Sequence, residues 1–462
     1  MTATQHHALH PEFRWLVLLV SIGFFMQGLD TTIINTALPA IAANLNEDPL
    51  GMHGVVVAYV LSVAACIPLS GWLADRFGVR HIYGAAIVIF TLASLGCALS
   101  SSLNELLAYR VLQGVGGALL LPVGRLAMLK VIPREQFLAA MSLMSLAGLL
   151  GPMLGPTLGG WMIEYASWHW IFLINLPMGI LGALMTYKVM PNVKESTVKR
   201  FDFTGFVLLL VAMVGLSLGI ENFAHPEHSL RFNLALLLAS LIAMLLYAYH
   251  AHQHQHALFR SDLFKNNIFT IGILGNGFAR LSGNSIPFLL PLMLQVVFGF
   301  DPLTTGLLMI PTVLGSIASK PIIRKLIQWL GYRRFLCINT LLVGACIASF
   351  ALTTADTPTW LRALHFFVFG LLNSLQFVGM NTLTLKDLSA QHASSGNSFL
   401  SMIMMLSMSI GVALAGALVN LFSAYFGSEH LLAAFHWSLI CLGAINLITA
   451  AIFWQIPKNT VV

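Results

Sequence analysis

Asp30 is an acidic residue deep inside a long apolar run that extends over residues 15–44. Acidic groups at membrane depth are rare and costly, and they usually face a water-filled cavity and mark a path for protons or ions. Burial favours the protonated form of a carboxyl group, whereas a nearby cation favours the ionised form. The sequence therefore predicts a proton-carrying role for Asp30, with Gln27 one turn earlier and Asn35 farther along the same helix. The alternative is a structural acid that is held in an ion pair with an arginine.

Arg110 and Gln113 lie one helical turn apart in another apolar run, and Gly114 and Gly117 follow them. Because arginine keeps its positive charge in proteins, Arg110 could bias Asp30 towards its ionised form. The two glycines allow another helix to approach closely. A packing and ion-pair role without proton chemistry is the alternative, and the two interpretations are compatible.

Amides and one further arginine form polar faces on two later apolar runs. Asn276, Arg280 and Asn284 are spaced by four residues and so share one helix face. Asn373 and Gln376 lie one turn apart. We expect these groups to face a central cavity rather than lipid. Arg280 could bind an anion there, although an arginine bonded to carbonyl groups within the helix packing explains the pattern equally well.

These residues belong to an unusually apolar chain of 462 residues. Hydrophobic residues make up 58%, charged residues only 9%, and the mean hydropathy is +0.84. A soluble domain carries about 25% charged residues, so the composition excludes a soluble enzyme, a nucleic-acid-binding protein and a disordered chain. The net charge of +6 is typical of a membrane protein with basic cytoplasmic loops. The five cysteines are scattered inside apolar runs and predict neither disulfides nor a metal site.

Fourteen apolar runs are long enough to cross a bilayer as helices, since a span needs about 20 residues. Lys and Arg orient these spans. When the N-terminus is placed in the cytoplasm, two of the 23 fall outside and two, Arg110 and Arg280, lie deep within spans, which leaves nineteen at or near cytoplasmic ends. The even number of runs also places the C-terminus in the cytoplasm. The runs are 15–44, 55–73, 82–100, 106–129, 138–164, 168–190, 203–220, 232–249, 268–298, 303–327, 335–352, 361–383, 398–422 and 431–454.

The runs are arranged as six, two and six, with polar stretches between the groups. We expect an N-terminal six-helix bundle over residues 1–190, cytoplasmic linkers with two inserted helices over 191–262, and a C-terminal six-helix bundle over 263–462. An internal echo supports the repeat, because Gly71–Arg80 after the second run corresponds to 324–333 after the tenth. Repeated halves are typical of transporters that bind substrate between them near the bilayer midplane.

Gly151, Gly155 and Gly159 recur every four residues in the fifth run and so share one helix face. Small residues at this spacing allow two helices to approach closely in lipid. Pro152 and Pro156 in the same run favour a bend. Generic helix packing is the alternative interpretation.

Several apparent motifs are excluded by their context. Residues 215–219 have the Gly-x-Ser-x-Gly pattern of hydrolases, but they lie inside a span rather than at a strand–helix turn. No Gly-Lys pair occurs, so the chain has no phosphate-binding loop for ATP. We therefore expect no enzymatic activity, no metal and no cofactor. A polar linker is the favoured interpretation of an alternating histidine tract, although a metal or pH role is the alternative. The tract comprises His250, His252, His254 and His256.

Together these motifs resemble the major facilitator superfamily, and in particular its fourteen-span, EmrB/QacA-like drug:proton antiporter branch. The resemblance covers essentially the whole chain. It is carried by five segments, Leu29–Pro39, Gly71–Arg80, Arg110–Gly117, Gly151–Gly160 and Trp168–Pro177.

The resemblance implies an all-α membrane protein of the major facilitator fold, in which two six-helix bundles rock about a central site and two helices are inserted between them. It implies that Asp30, with Arg110, carries the coupling proton. It also implies that Asp75 acts at a cytoplasmic gate by bonding to the other bundle in the outward-open state. The gate motif comprises Gly71, Asp75, Arg76, Gly78 and Arg80. The helix-five motif, which would favour antiport over uptake, comprises Gly151, Gly155, Pro156, Gly159 and Gly160.

The expected function is secondary active transport, namely proton-coupled export of small amphipathic molecules or drugs by alternating access. One deep acid beside two deep arginines is unusual for an exporter of lipophilic cations. Export of an anionic metabolite or a metal–carboxylate chelate is therefore the alternative, and a membrane sensor without transport is a third interpretation. The expected partners are a small-molecule substrate, protons and the lipid bilayer, without nucleic acid. We expect a monomer in the cytoplasmic (inner) membrane, with both termini in the cytoplasm.

Overall fold

Long α-helices make up most of the computed structural model, which describes residues 10–195, 200–222, 230–254, 257–388 and 390–457. No β-strand occurs within these ranges. Continuous apolar runs form helices because a helix satisfies its own backbone hydrogen bonds in lipid. The α-helices are α1 Pro11–Ile33, α2 Leu38–Leu45, α3 His53–Phe77, α4 Val79–Leu99, α5 Leu103–Val131, α6 Arg134–Tyr165, α7 Trp170–Leu173, α8 Asn175–Val189, α9 Phe203–Glu221, α10 Leu230–Gln253, α11 Asn267–Gly283, α12 Ile286–Leu292, α13 Pro302–Ser349, α14 Thr359–Lys386, α15 Ala390–Phe426 and α16 Leu431–Phe453.

Twelve helices among the described residues are long and apolar enough to cross a membrane, whereas the sequence predicted fourteen runs. The run 268–298 is divided between α11 and α12 and ends in a π-helical turn at Met293–Val297. Pro287 and Pro291 lie in this region and interrupt regular helical hydrogen bonding. Two further predicted runs are joined in α13, which has 48 residues and departs from helical geometry at Gly331.

Two glycines at matching positions of the internal echo have the same unusual backbone conformation. Gly78 ends α3 with φ 93° and ψ 144°, and Gly331 interrupts α13 with φ 72° and ψ 160°. This region of φ and ψ is strained for any residue with a Cβ. The repeat therefore extends from the sequence to the backbone geometry of the two turns.

The helices form two groups that touch along two seams. Helices α1 to α8 pack mainly on one another, as do α11 to α16. The groups meet where α6 contacts α13 and where α3 contacts α15. Helix α9 lies against α3 and α15 at the second seam, and α10 packs on α9. We refer to these sets as the first helix group, α1–α8, and the second helix group, α11–α16.

The two helix groups are in direct contact at the end where α1 terminates, which we call the closed end. There, Gln295 Nε2 donates a hydrogen bond to Thr36 O over 3.0 Å. Thr157 Oγ1 donates to Gly306 O over 3.2 Å. These bonds join α6 and the turn after α1 to the second helix group, so the closed end is sealed by backbone acceptors as well as side chains.

Candidate functional site

The Asp30 carboxylate lies in a buried ion-pair network between α1, α5 and α8. Its Oδ2 accepts a hydrogen bond from Arg110 Nη1 over 2.6 Å, and its Oδ1 accepts one from Gln113 Nε2 over 2.7 Å. Asn175 Nδ2 lies 3.4 Å from the same Oδ1. Asp30 is 1% exposed, and the other three side chains are fully buried. The structure thus brings together the Asp30 carboxylate and the Arg110 guanidinium, which lie on separate apolar runs of the sequence.

Arg110 is held from several sides. Its Nε donates to Val55 O over 3.2 Å, and its Nη1 also donates to Gln113 Oε1 over 2.7 Å. The guanidinium lies 4.3 Å from the centroid of the Tyr59 ring. Arg110 Nη2 and Asn175 Oδ1 are buried and form no hydrogen bond within the described ranges. A protein is strongly destabilised when one partner of a buried ion pair is lost, and this pair leaves the Asp30 carboxylate almost fully buried in this conformation.

Two central cavities separate the helix groups away from the closed end. The first cavity encloses about 230 Å³ and the second about 340 Å³. Side chains of both helix groups contribute to each cavity, so a bound molecule would contact both groups. The first cavity is bordered by residues that include Gln27, Arg125, Phe377, Asn381 and Asn397, and the second by residues that include Thr32, Pro152, Met309, Lys320 and Asn373.

Cations surround the central cavities, and no acid occurs among the described lining residues. Arg125 borders the first cavity and Lys320 the second. Arg280 lies just behind the first cavity and is 5% exposed. Its Nη2 donates to Asn381 Oδ1 over 3.3 Å, and its guanidinium lies 4.5 Å from the Phe377 ring centroid. In the part of the chain that the structure describes, no carboxylate lies within 4.0 Å of Arg280, so its charge can be balanced by an anion in the cavity.

Some of the other predicted cavity residues lie near these spaces. Gln27 borders the first cavity and Asn373 the second. Asn276 is fully buried behind the first cavity, where its Oδ1 accepts from Arg280 Nε over 3.4 Å. Gln113 belongs to the buried ion-pair network and reaches neither cavity.

Three other predicted amides lie away from both cavities in this conformation. Asn35 is buried in the turn after α1 at the closed end, and Asn284 caps the C-terminus of α11. Gln376 packs inside the second helix group, where its Nε2 donates to Thr340 Oγ1 and its Oε1 accepts from Asn339 Nδ2, each over 2.8 Å. Polar spacing alone does not distinguish a cavity wall from a hydrogen bond between packed helices.

The loop between α3 and α4 is bound to its own helix group. Asp75 Oδ1 lies 2.9 Å from Lys130 Nζ, and Lys130 also pairs with Glu195 Oε1 at 2.8 Å. Arg80 Nε donates to the carbonyl of Met190. These partners all belong to the first helix group or to the segment that follows it, so Asp75 is occupied on its own side of the molecule.

The remaining residues of the predicted gate motif stay within the same region. The Arg76 guanidinium lies 5.2 Å from the Trp72 ring centroid. A Cβ on Gly78 would lie 2.0 Å from Asn192 Oδ1, so a side chain there would displace Asn192, and the φ of 93° independently favours glycine. A Cβ on Gly71 would meet nothing within 4 Å, and the structure gives no packing reason for that glycine.

The glycine face of α6 packs directly on α1. A Cβ on Gly151 would lie 2.6 Å from Phe25 O, and one on Gly159 would lie 2.6 Å from Ile33 O. A Cβ on Gly155 would lie 2.9 Å from Ile33 N. The four-residue spacing therefore permits backbone contact between these two helices along two turns.

A different side of α6 closes against α13. A Cβ on Gly160 would lie 2.2 Å from Pro302 O, and a Cβ on Gly306 would lie 2.5 Å from Pro156 O. The helix-five motif thus contributes to two interfaces, one inside the first helix group and one at the closed end between the groups.

Sequence reasoning missed several residues of these sites. Arg125 and Lys320 were assigned to cytoplasmic ends, because counting charges does not distinguish a cavity wall from a loop. The position of Arg125 within the predicted run 106–129 was the available signal. Asn175 and Ser94 join the Asp30 network only through tertiary packing, since Gln113 Nε2 donates to Ser94 Oγ over 2.8 Å.

The histidine tract contributes to a linker contact at the end of α10. His250 Nε2 lies 2.8 Å from Asp202 Oδ1, and the His250 ring stacks on His254 with centroids 4.1 Å apart. His256 lies outside the described residues. Within the described ranges, no group of three or more His, Cys, Asp and Glu side chains could hold a metal ion.

Comparisons with known proteins identify the family of the chain and agree with its helical fold. The family profile described as "Major Facilitator Superfamily" matches residues 20–412. The protein named "Putative multidrug resistance protein MdtD" of Pectobacterium carotovorum is 48% identical over 456 residues, which cover 97% of each chain. The protein of the same name from Citrobacter koseri is 49% identical over 459 residues, covering 98% of this chain and 96% of the relative.

Solved structures share the fold at low sequence identity. A D-xylose-proton symporter superposes with a TM-score of 0.68 at 16% identity and covers 96% of this chain and 98% of its own. A bacterial homologue of the human lysosomal transporter Spinster, in an inward-facing and occupied conformation, has a TM-score of 0.67 at 13% identity and covers 97% of both chains. At these identities the likeness shows the fold alone.

Proposed function

The chain belongs to the major facilitator superfamily, and on that premise we propose that this transporter exports small amphipathic molecules in exchange for protons. It is a multi-pass membrane protein and not an enzyme. Alternating access would expose a central site first to one side of the membrane and then to the other. The two cation-lined cavities between the helix groups are the spaces in which a substrate would bind.

We propose fourteen membrane crossings, with six-helix bundles over 1–190 and 263–462 and two inserted helices between them. Helix α13 supports this count, because its 48 residues would extend about 72 Å as one straight helix. A bilayer core is only about 30 Å thick, so α13 would cross twice and turn at Gly331. Helices α11 and α12 together would form one further, interrupted crossing. The distribution of Lys and Arg supports cytoplasmic termini in the inner membrane.

In that orientation the structure corresponds to an inward-open conformation. The closed end would face the outside and the central cavities would open towards the cytoplasm. Asp75 is bound to Lys130 of its own bundle here, which suits a gate residue whose partner in the other bundle is available only in the outward-open state. The transporter would work as a monomer, since both bundles lie in one chain.

The buried Asp30 network is the observation that carries the proposal of proton coupling. In this conformation Arg110 and Gln113 stabilise an ionised Asp30 carboxylate. Protonation would remove the attraction to Arg110 and free that buried cation to move. Because Gln27 lies one turn earlier on α1 and borders the first cavity, a small shift of α1 would open a path for water from the cavity to the carboxylate. A coupling of this kind requires that the two conformations differ in their affinity for the proton.

The Asp30→Asn variant tests this proposal. The amide keeps the shape of the side chain but cannot bind and release a proton, so export driven by a pH gradient should fall to background in proteoliposomes. Substrate exchange without a gradient should persist, because binding and rocking do not require the proton. Glu47→Gln, at an exposed acid on the closed end, is the matched control and should export normally. Full gradient-driven export by Asp30→Asn would reject the assignment.

The charge of the cavities favours an anionic substrate as the second candidate. Arg125, Lys320 and Arg280 surround the two spaces, and the described lining contains no acid. A carboxylate, alone or as a metal chelate, would balance these cations, whereas a lipophilic cation would be repelled. Uptake into inverted vesicles separates the two candidates. Arg280→Gln should abolish carboxylate transport and leave a cationic dye unaffected, whereas loss of dye transport with retained carboxylate transport would reject the anionic substrate.

A further inference from the structure

A groove at the side of the first helix group is separate from both central cavities. It lies between α3, α5 and the inserted helix α9, and it encloses about 440 Å³. No residue is shared between its lining and that of either central cavity. The groove opens sideways, since Val111 and Leu218 on its rims are 45% and 39% exposed. In a membrane protein such an opening faces lipid.

Three helices build this lateral groove with ladders of residues that recur every four positions. The floor is formed by α3, where small residues recur every four positions, and the walls consist of larger aliphatic residues on α5 and α9. Because residues at this spacing share one helix face, each helix presents a continuous strip to the groove. The small floor residues are Gly54, Ala58, Ser62 and Cys66, which lie beside Val57, Leu61 and Ala65 of the same helix, and the wall residues are Leu107, Val111 and Val115 on α5 and Leu210, Val214 and Leu218 on α9.

The position of α9 keeps the lateral groove open. Helix α9 is attached to the second helix group, where Ser217 Oγ and Ser409 Oγ lie 3.1 Å apart. On the other side of the groove, α5 lies close to α3, because a Cβ on Gly114 would lie 2.6 Å from Tyr59 O. Because α9 is attached to α15 and α5 is packed on α3, α9 and α5 do not close over the small floor residues of α3, and the groove remains between them.

One acidic group lies at the mouth of the lateral groove. Glu221 is one turn beyond Leu218 on α9 and is 16% exposed. A Cβ on Gly54 would lie 2.9 Å from its Oε1, and the same oxygen lies 3.8 Å from His53 Nε2. The carboxylate thus sits over the N-terminus of α3, where the helix dipole favours negative charge. Among the described residues that line the groove, Ser62 is the one other polar side chain apart from Glu221 and the Cys66 thiol, and its Oγ donates to Ala58 O over 2.7 Å.

The length of the lateral groove matches one leaflet of a bilayer. The floor extends along α3 from Gly54 to Cys66, a length of twelve residues or about 18 Å. Half of a bilayer core is about 15 Å thick. An acyl chain of a lipid would fill a groove that is apolar along this length, and an ammonium group would complement the acid at its mouth. We propose that the lateral groove binds one acyl chain of an aminophospholipid, with the headgroup amine at Glu221. The lipid belongs to the outer leaflet in the orientation proposed above.

A lipid in this groove would join the inserted helix pair to the first helix group. Helix α9 contacts α3 less extensively than it contacts α15, so the acyl chain would add to the apolar surface that α9 and α3 share. The occupant would bridge α3, which moves with the first helix group, and α9, which is bonded to α15. The inserted helices would then act as a lipid-dependent support at the seam.

Photocrosslinking of defined lipids tests this proposal. The full-length protein is reconstituted with trace amounts of phosphatidylethanolamine, phosphatidylcholine or phosphatidylglycerol that carry the same photoreactive acyl chain, and crosslinked peptides are mapped by mass spectrometry. We expect phosphatidylethanolamine to label 54–66 and 210–221 preferentially. Ala58→Phe should fill the floor and abolish this labelling. Leu238→Phe, on the exposed side of α10, is the matched control and should not change it.

If Ala58→Phe does not fold, the Glu221→Gln variant tests the proposal independently, because it removes the carboxylate at the mouth of the groove. It should reduce labelling by phosphatidylethanolamine about two- to fivefold, the effect of one partly exposed ion pair, and leave the other two lipids unchanged. Equal labelling by all three lipids, or labelling that survives Ala58→Phe in a protein that elutes as folded, would overturn the proposal. Displacement of the lipid by a cationic amphiphile that is itself exported would also overturn it, because the groove would then belong to a substrate route.

Discussion

At the scale of single residues, the Asp30–Arg110 pair could be predicted from the sequence, whereas the other partners of the carboxylate could not. An acid and an arginine inside separate apolar runs indicate a buried charge pair, since neither charge is tolerated alone in lipid. The structure adds Gln113 and Asn175, which satisfy the second carboxylate oxygen. Asn175 lies in the Trp168–Pro177 segment that carries the family resemblance, but nothing in its type or spacing places it beside Asp30.

The strength of this pair leads to a stability prediction. Arg110→Gln leaves a buried carboxylate without its counter-ion and should lower the free energy of unfolding by about 3–5 kcal/mol. The double variant Asp30→Asn with Arg110→Gln removes both charges and should recover part of this loss, because the two sites are directly coupled. Thermal unfolding in detergent measures both effects.

The exposed cation Arg334 provides the control for this comparison. Arg334→Gln should unfold at the temperature of the parent protein. A double variant that is no more stable than Arg110→Gln alone would mean that the residues do not stabilise each other. Recovery of stability without recovery of gradient-driven export would separate the structural role of the pair from its role in coupling.

At the scale of elements, the sequence predicted an all-helical membrane protein, and this is confirmed. The number of long helices differs from the prediction, because hydropathy does not record a break in the backbone. Helix α13 joins two predicted runs across the break at Gly331, while the prolines of 268–298 divide one run into α11 and α12. The same limitation applies to the cavity walls. Asn35 and Gln376 have the polar character of cavity residues, but helix rotation and packing place them elsewhere.

The contact between α6 and α13 leads to a prediction about conformation. Gly160 has no space for a side chain, because a Cβ would lie 2.2 Å from Pro302 O at the closed end. Gly160→Val should therefore hold the helix groups apart at that end and shift the population towards the conformation that is open there. Distances between spin labels across the closed end should increase, and distances across the opposite end should decrease.

A second glycine substitution controls for the loss of helical flexibility. Gly277 lies in α11, and a Cβ there would meet no atom closer than 3.7 Å. Gly277→Val should leave both label distances unchanged. If Gly160→Val also leaves them unchanged in a folded protein, the closed end does not depend on backbone contact, and α6 has no special part in closing it.

At the scale of the whole molecule, the conformation itself could not be predicted from the sequence. The repeat, the motifs and the charge distribution are the same in every state of the cycle. Which end is closed depends on small differences between two sets of contacts. In this structure the contacts at the closed end, such as Gln295 with Thr36, are formed, while Asp75 remains paired with Lys130.

Asp75 should therefore have different partners in the two states, and two substitutions distinguish them. Lys130→Met removes only the partner seen here, so it should destabilise the inward-open state and increase the outward-open population. Asp75→Asn removes this same bond and, in addition, the bond to the other bundle that we propose for the outward-open state. Because both states then lose one contact, the population should stay closer to that of the parent protein than it does in Lys130→Met. Because both groups are partly exposed, each shift should be modest, about 1 kcal/mol or fivefold in population. Spin-label distances across both ends measure the two populations directly. An equal shift for both variants would mean that Asp75 has no partner in the second helix group, and the gate would then consist of contacts within the first group alone.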